Sequence, residues 1–204
     1  MLEKRPMGCS ERSIAVLRDL VARHTGRLAP DVTALVEIAS ERGLSKGEAL
    51  LEAGEEAQVA GIVLEGVIGE FYVGIDGKRK AKWLASEGDV VGSMEDLVRK
   101  GPARATIRSL TPSVVLCLPY AKLRSLTTND LAWAGFFITV MEHLYRQKSE
   151  REYTLLMLDA EDRYRWFQKH HGHIEAMVAQ EIVASYLGVT PVHLSRVRRT
   201  LGAA

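Results

Sequence analysis

The chain has 204 residues, of which 47% are hydrophobic, and 27 Lys and Arg stand against 26 Asp and Glu for a formal net charge of +1. That length suits two small domains, each with its own core, and the composition excludes a largely disordered chain. Near-neutrality excludes a partner held by bulk charge, so any surface for a polyanion has to be local.

At the N-terminus Glu3, Lys4, Arg5, Glu11 and Arg12 interrupt the apolar residues before Leu20, so no signal peptide is expected. No stretch is long and apolar enough to span a bilayer. Cys9 and Cys117 are too few for a disulfide framework or a four-thiolate metal site, and this usage points to a reducing cytoplasm. Apolar residues at helical spacing predict two lead-in helices, Ser13–Leu20 and Asp31–Arg42, with Pro30 and Asp31 marking the start of the second.

After Gly43 the pattern changes to short apolar runs divided by glycines, the signature of short strands and tight turns. Strands are predicted at Ile62–Leu64, Glu70–Ile75, Lys78–Leu84, Ala105–Leu110 and Val114–Pro119. Asp76-Gly77 between two of them reads as a hairpin turn, because the turn that matches strand twist needs a positive φ. From Asn129 to Met157 there is no proline and no glycine but Gly135, which predicts one long helix. Leu131, Ala134, Ile138, Met141, Tyr145, Lys148, Glu152 and Leu155 recur on it at alternating three- and four-residue steps, the seam of a two-helix contact; the alternative is a helix packed on its own domain.

Asp159 is placed to cap a further helix, Ala160–Lys169, with a hinge near Leu158–Asp159. His170, His171 and His173 then read as a polar loop; they lack a third ligand geometry for a metal, and none is expected. Ala179–Leu187 is amphipathic, Gly188-Val189 forms a tight turn, and Thr190–Leu201 makes a second helix with Thr190 as cap and Pro191 at its first position. This is a helix-turn-helix pattern. Its second helix carries Arg196, Arg198 and Arg199 and no acid, a stripe fit to neutralise phosphates. The expected DNA contacts are Thr190, Val192, His193, Ser195, Arg196 and Arg199, with Arg196 able to grip guanine and Val192 a thymine methyl. The alternative is a helical hairpin packed against another surface with its arginines solvated.

With that C-terminus behind a glycine-punctuated strand region and a long helix, the chain resembles the Crp/Fnr family of transcription regulators. The resemblance rests on Leu44-Ser-Lys-Gly-Glu48, Leu51-Glu-Ala-Gly-Glu55, Ile62-Val-Leu-Glu-Gly66, Glu87-Gly-Asp-Val-Val-Gly92, Pro102-Ala-Arg-Ala-Thr106 and the helix-turn-helix, in that order. It implies an α+β chain: N-terminal helices and an antiparallel β jelly-roll sensor of the cyclic-nucleotide-binding type over 1–126, a dimerisation helix over 127–158, and an all-α, winged-helix-like helix-turn-helix domain over 159–204. The implied partners are a second copy joined through the 129–157 helix, double-stranded DNA at an inverted repeat, RNA polymerase where the regulator activates, and a small anionic effector; no membrane and no cofactor are implied.

The family's phosphate-binding cassette would run from Gly92 to Thr106, with Gly92, Glu95, Arg104, Ala105 and Thr106 as ligand contacts and Lys148 and Ser149 offered by the long helix. Where cyclic-nucleotide binders place Glu directly after the glycine, this chain has Ser93, which argues against cyclic AMP or GMP. Arg104 reads equally as a ligand contact and as a structural salt bridge. An iron–sulfur sensor needs more cysteines, and Cys117, in a predicted strand, reads as a buried small hydrophobe. A regulator without effector and a ligand- or protein-binding module that no longer meets DNA remain the rival readings. An enzyme on this scaffold is not expected, since a metal-dependent one would need histidines between Gly43 and Pro119, where there are none.

Overall fold

The computed structural model describes residues 9–25, 29–75, 77–128 and 130–202. Helix α1 (Glu11–His24) starts where the Ser10 hydroxyl accepts a hydrogen bond from the Ser13 amide, and it buries Leu17, Leu20 and Val21, three positions on one face. Helix α2 spans only Thr33–Ile38. The predicted helix through Arg42 is cut short because Ser40–Leu44 is a strand, β1, paired along its whole length with the last strand of the roll.

The other strands are β2 (Ala49–Leu51), β3 (Val59–Glu65), β4 (Ile68–Val73), β5 (Arg79–Ala85), β6 (Val90–Val91), β7 (Thr106–Ser109) and β8 (Ser113–Pro119). They form two four-stranded antiparallel sheets, ordered β1-β8-β3-β6 and β2-β7-β4-β5, the jelly roll expected from the sequence. Between the sheets lie Leu44, Val63, Ile68, Ile107 and Val115. Cys117 is buried there as the predicted small hydrophobe, and burial pushes its thiol up to about 11. In the β4–β5 hairpin the Gly77 amide donates to the Gly74 carbonyl at 2.9 Å; Asp76 lies outside the described residues.

One short helix, α3 (Met94–Arg99), interrupts the roll and another, α4 (Tyr120–Leu126), follows its last strand. The long helix follows as α5 (Leu131–Met157), capped by the Asp130 carboxylate; Asn129 lies outside the described residues. The upper half of α5 packs Trp133, Phe136 and Val140 against α1 and the outer face of the β3–β8 sheet. Helix α6 runs from Ala160 to Glu175 with Asp159 as its cap, so His170, His171 and His173 are helical rather than in a loop. Packing decides this: His171 sits among the rings of Phe167, Trp166, Trp83 and Tyr186, with centroids 5.4–6.0 Å away. Burial lowers its pKa to about 4, so the ring is neutral at pH 7. Helices α7 (Gln180–Tyr186) and α8 (Pro191–Thr200) follow.

The C-terminal helices share a core with the roll. Tyr164, Phe167, Ile174, Val183 and Tyr186 pack with Phe71, Ala81 and Leu84 of the β4–β5 hairpin. Strand β5 is an edge strand, and its free backbone groups are taken up here. The Ala81 amide donates to Ser185 Oγ at 2.9 Å. Arg151 of α5 donates to the carbonyls of Lys82 (3.3 Å), Ala81 (3.5 Å) and Tyr186, and its guanidinium lies 3.7 Å from the centre of the Tyr186 ring. It is buried with no carboxylate partner among the described residues, and desolvation pushes its pKa down.

Replacing Arg151 by Met keeps the apolar stem and strips three carbonyls of their donor. The expected loss is roughly 2–3 kcal/mol in urea unfolding, against less than about 0.5 for the exposed Arg146→Met control.

Candidate functional site

Two places in the fold gather the predicted residues. In the first, β6 leads through Gly92 into α3. Gly92 has φ +152° and an added Cβ would stand 3.3 Å from the Val59 carbonyl oxygen, so a side chain here is disfavoured by both backbone and space. Ser93 stands at the N-cap position of α3, and its hydroxyl turns to Asp96 in place of a backbone amide.

Asp96 is 2% exposed and organises the segment. Its carboxylate accepts from Ser93 Oγ at 2.6 Å, Arg99 Nη2 at 2.9 Å, the Arg104 amide at 3.0 Å and Arg104 Nε at 3.3 Å. Burial alone would raise its pKa, but these donors outweigh it and hold the carboxyl at about 2. Arg104 Nη2 is also paired with Glu95, whose carboxyl that hydrogen bond lowers. The arginine predicted to meet a ligand is therefore occupied by two acids of its own chain, the structural alternative of the two sequence readings.

Ala105 is buried, and Thr106 donates to Glu52 at 3.0 Å and accepts from the Ala53 amide at 3.2 Å. Nearby, buried Glu70 of β4 pairs with Lys82 of β5 at 2.6 Å. Burial pushes the Glu70 carboxyl up, while Glu70 holds the Lys82 ammonium charged against the same burial. Lys148 of α5 is exposed and forms no ion pair among the described residues, though its charge favours the ionised forms of Glu70 and Glu95. Ser149 is not brought in: on the helix it lies opposite Arg151 and Thr154, the residues α5 buries. Three cations, Arg99, Arg104 and Lys82, are thus paired with three carboxylates, Asp96, Glu95 and Glu70. Sequence reasoning missed Asp96, Glu70 and Lys82; Ser93 and Asp96 at i, i+3 were the available signal.

The second place is the helix-turn-helix. Gly188, at φ +68°, makes the turn, and Thr190 caps α8 by accepting from the His193 amide at 3.2 Å. Leu194 and Val197 anchor α8 in the core. Thr190, Val192, His193, Ser195, Arg196 and Arg199 are all exposed on its outer side, as predicted. Thr190, Val192, His193 and Arg196 line an open groove of about 420 Å³ together with Glu161 of α6. Arg198 departs from expectation: it pairs with Glu175 and stacks 5.8 Å from the centre of the Tyr164 ring, so it holds α8 to α6 and is no part of the cationic stripe.

A jelly roll with an ion-paired cassette, joined by one long helix to an exposed helix-turn-helix, defines a fold of the cyclic-nucleotide-binding type followed by a helix-turn-helix. Residues 41–130 match the cyclic nucleotide-binding domain family. FixK2 from Bradyrhizobium japonicum is similar in structure with a TM-score of 0.70 at 20% identity, over 81% of this chain and 85% of that one. DNR from Pseudomonas aeruginosa follows at 0.56 and 19%, over 96% and 89%. A chain from Eubacterium rectale, described as a regulator of the Crp/Fnr family, has a TM-score of 0.67 at 12%, over 84% and 82%. No curated protein matches the chain in sequence. The chain has the Crp/Fnr fold, and the resemblance read from its sequence is borne out.

Among the described residues no group of three His, Cys, Asp or Glu is placed to hold a metal ion, and no helix is long and apolar enough to cross a membrane.

Because the folded pKa of Asp96 is depressed, its contribution is present in full above about pH 4 and is lost as the pH falls through about 2. Asp96→Asn should cost roughly 2 kcal/mol at neutral pH, and the gap to the parent protein should narrow only below about pH 4; urea titrations from pH 7 down to about pH 2 measure this.

Proposed function

We propose that the chain is a sequence-specific DNA-binding transcription regulator of the Crp/Fnr type, acting in the cytoplasm as a homodimer on an inverted-repeat operator. In this reading residues 1–126 form the sensor, 127–158 the dimerisation helix and 159–204 the DNA reader. The observation that carries it is the outer face of α8, where Val192, His193, Ser195, Arg196 and Arg199 stand exposed while Leu194 and Val197 fix the helix from behind. A recognition helix needs this division: one face rigidly held, the other free to enter the major groove. Thr190 and Arg199 are placed for phosphates, Arg196 for guanine and Val192 for a thymine methyl.

The cassette bears on control. A cyclic nucleotide would have to displace Glu95 from Arg104 and would find Ser93 in place of a ribose-binding carboxylate. This supports a regulator that cyclic AMP and GMP do not trigger, one that is constitutive or answers to another effector. RNA polymerase enters as a partner where the bound dimer activates. The reading requires binding and no catalysed reaction.

Selection of duplexes from a random pool should enrich an inverted repeat. Arg196→Ala should relax one position of each half-site by about 1–3 kcal/mol and weaken binding. Affinity should fall steeply between low and moderate salt, as phosphate neutralisation demands. Cyclic AMP at about 1 mM should change it less than about twofold. A dimer that enriches no motif and shows no salt-dependent duplex affinity would instead be a ligand- or protein-interaction module.

A further inference from the structure

Between the outer face of the β1-β8-β3-β6 sheet and the helices that cover it lies a cavity of about 50 Å³. Ala60 of β3 and Leu118 of β8 line it from the sheet, Leu20 of α1 and Leu35 of α2 from the N-terminal helices, and Phe136 and Val140 from α5; all six are buried. Five further lining side chains are only half-buried and form its mouth: Met94 of α3, Tyr120 and Leu123 of α4, and Phe137 and Met141 of α5. The wall carries no polar atom among the described residues. None of the charged residues of the Gly92–Thr106 cassette lines it, so it is a different place from the pocket to which the sequence directs attention.

Protein interiors leave few voids larger than a water molecule. A body the size of one water needs roughly 10–15 Å³ of such space, so this void has room for a guest of about three to five heavy atoms. Water is a poor occupant, because it needs two or more polar partners and finds none on this wall. An apolar guest gains the dispersion contacts that the lining side chains otherwise lack. The space itself is set by one residue. Alternate residues of β3 share a face, and on the face toward the helices stand Ala60, Ile62 and Leu64, of which only the first is small.

We propose that this cavity is a binding site for a small neutral molecule without hydrogen-bonding groups, of the size of a short or branched hydrocarbon. Charged and strongly polar ligands are excluded, because the wall offers nothing to replace the water they would lose. The two methionines at the mouth suit such a site: their unbranched, polarizable side chains re-pack around guests of different shape. A bound guest touches α3 through Met94, one residue beyond Ser93 and its bond to Asp96, and α5 through Phe136, Phe137, Val140 and Met141. It therefore bridges the helix that holds the cassette and the long helix that leaves the roll.

The test is a titration of the full-length chain, carrying ¹³C-methyl methionine, with isobutane and with its polar isostere isopropanol. Met94 and Met141 report the cavity, while Met157 and Met177, which are exposed and line no part of it, are controls; Met94→Leu and Met141→Leu assign the signals. Isobutane should shift the Met94 and Met141 methyl signals saturably and leave Met157 and Met177 unmoved. Isopropanol should bind at least about tenfold more weakly, since its hydroxyl would be buried without a partner. Ala60→Ile, a β-branched residue suited to a strand, should fill the space and abolish the response. No saturable shift at Met94 and Met141, equal binding of the two guests, or an unchanged response in folded Ala60→Ile would each overturn the site. The comparison of the two guests on the parent chain holds whether or not Ala60→Ile folds. The readout involves no DNA, so loss of the DNA-binding reading would leave the outcome unaffected.

Discussion

Strand β5 ends its sheet, and a sheet edge presents backbone groups that need partners. The chain meets this need with its own later segments. Ser185 of α7 takes the Ala81 amide, and Arg151 of α5 takes the carbonyls of Ala81 and Lys82. Because Arg151 also binds the Tyr186 carbonyl, one buried guanidinium joins roll, long helix and helix-turn-helix. A lysine offers fewer donors in a less fixed geometry and could not span the three carbonyls in the same way.

The same strand faces two environments. Successive side chains on a strand point to opposite faces, so Lys82 reaches Glu70 while Ala81 packs with the C-terminal helices. The charge balance around Glu70, Asp96 and Arg104 is thereby one residue away from the docking surface. The backbone carbonyls that accept from Arg151 thus lie within one residue of that ion pair, on the side of the C-terminal helices.

The parts of the fold that depend on local chemistry were legible in the sequence. The Thr190 cap, the Gly188 turn, the β4–β5 hairpin and the long helix all appear where residue types predict them. The parts set by tertiary pairing were not. Ser40–Leu44 has little intrinsic strand preference and becomes a strand because β8 offers it a complete ladder. His170 to His173 look like a polar loop in isolation, yet the aromatic surroundings of His171 carry the helix through them. In the cassette the sequence directed attention to Glu95, the nearest acid to Gly92, whereas Asp96 faces inward and does the organising. Arg198 likewise looked like its neighbours in the stripe until Glu175, twenty-three residues earlier, proved to be its partner.

The aromatic cluster at this junction also gives the protein an optical character. Of its three tryptophans, Trp83 from the roll and Trp166 from α6 lie within 6.0 Å of one imidazole, that of His171, while Trp133 is buried far along the chain under α1. Two indoles therefore sit on opposite sides of the seam between the roll and the C-terminal helices, and the third stands apart. Two of the three intrinsic fluorophores of the unlabelled chain are thus placed where they report on the surroundings of that seam.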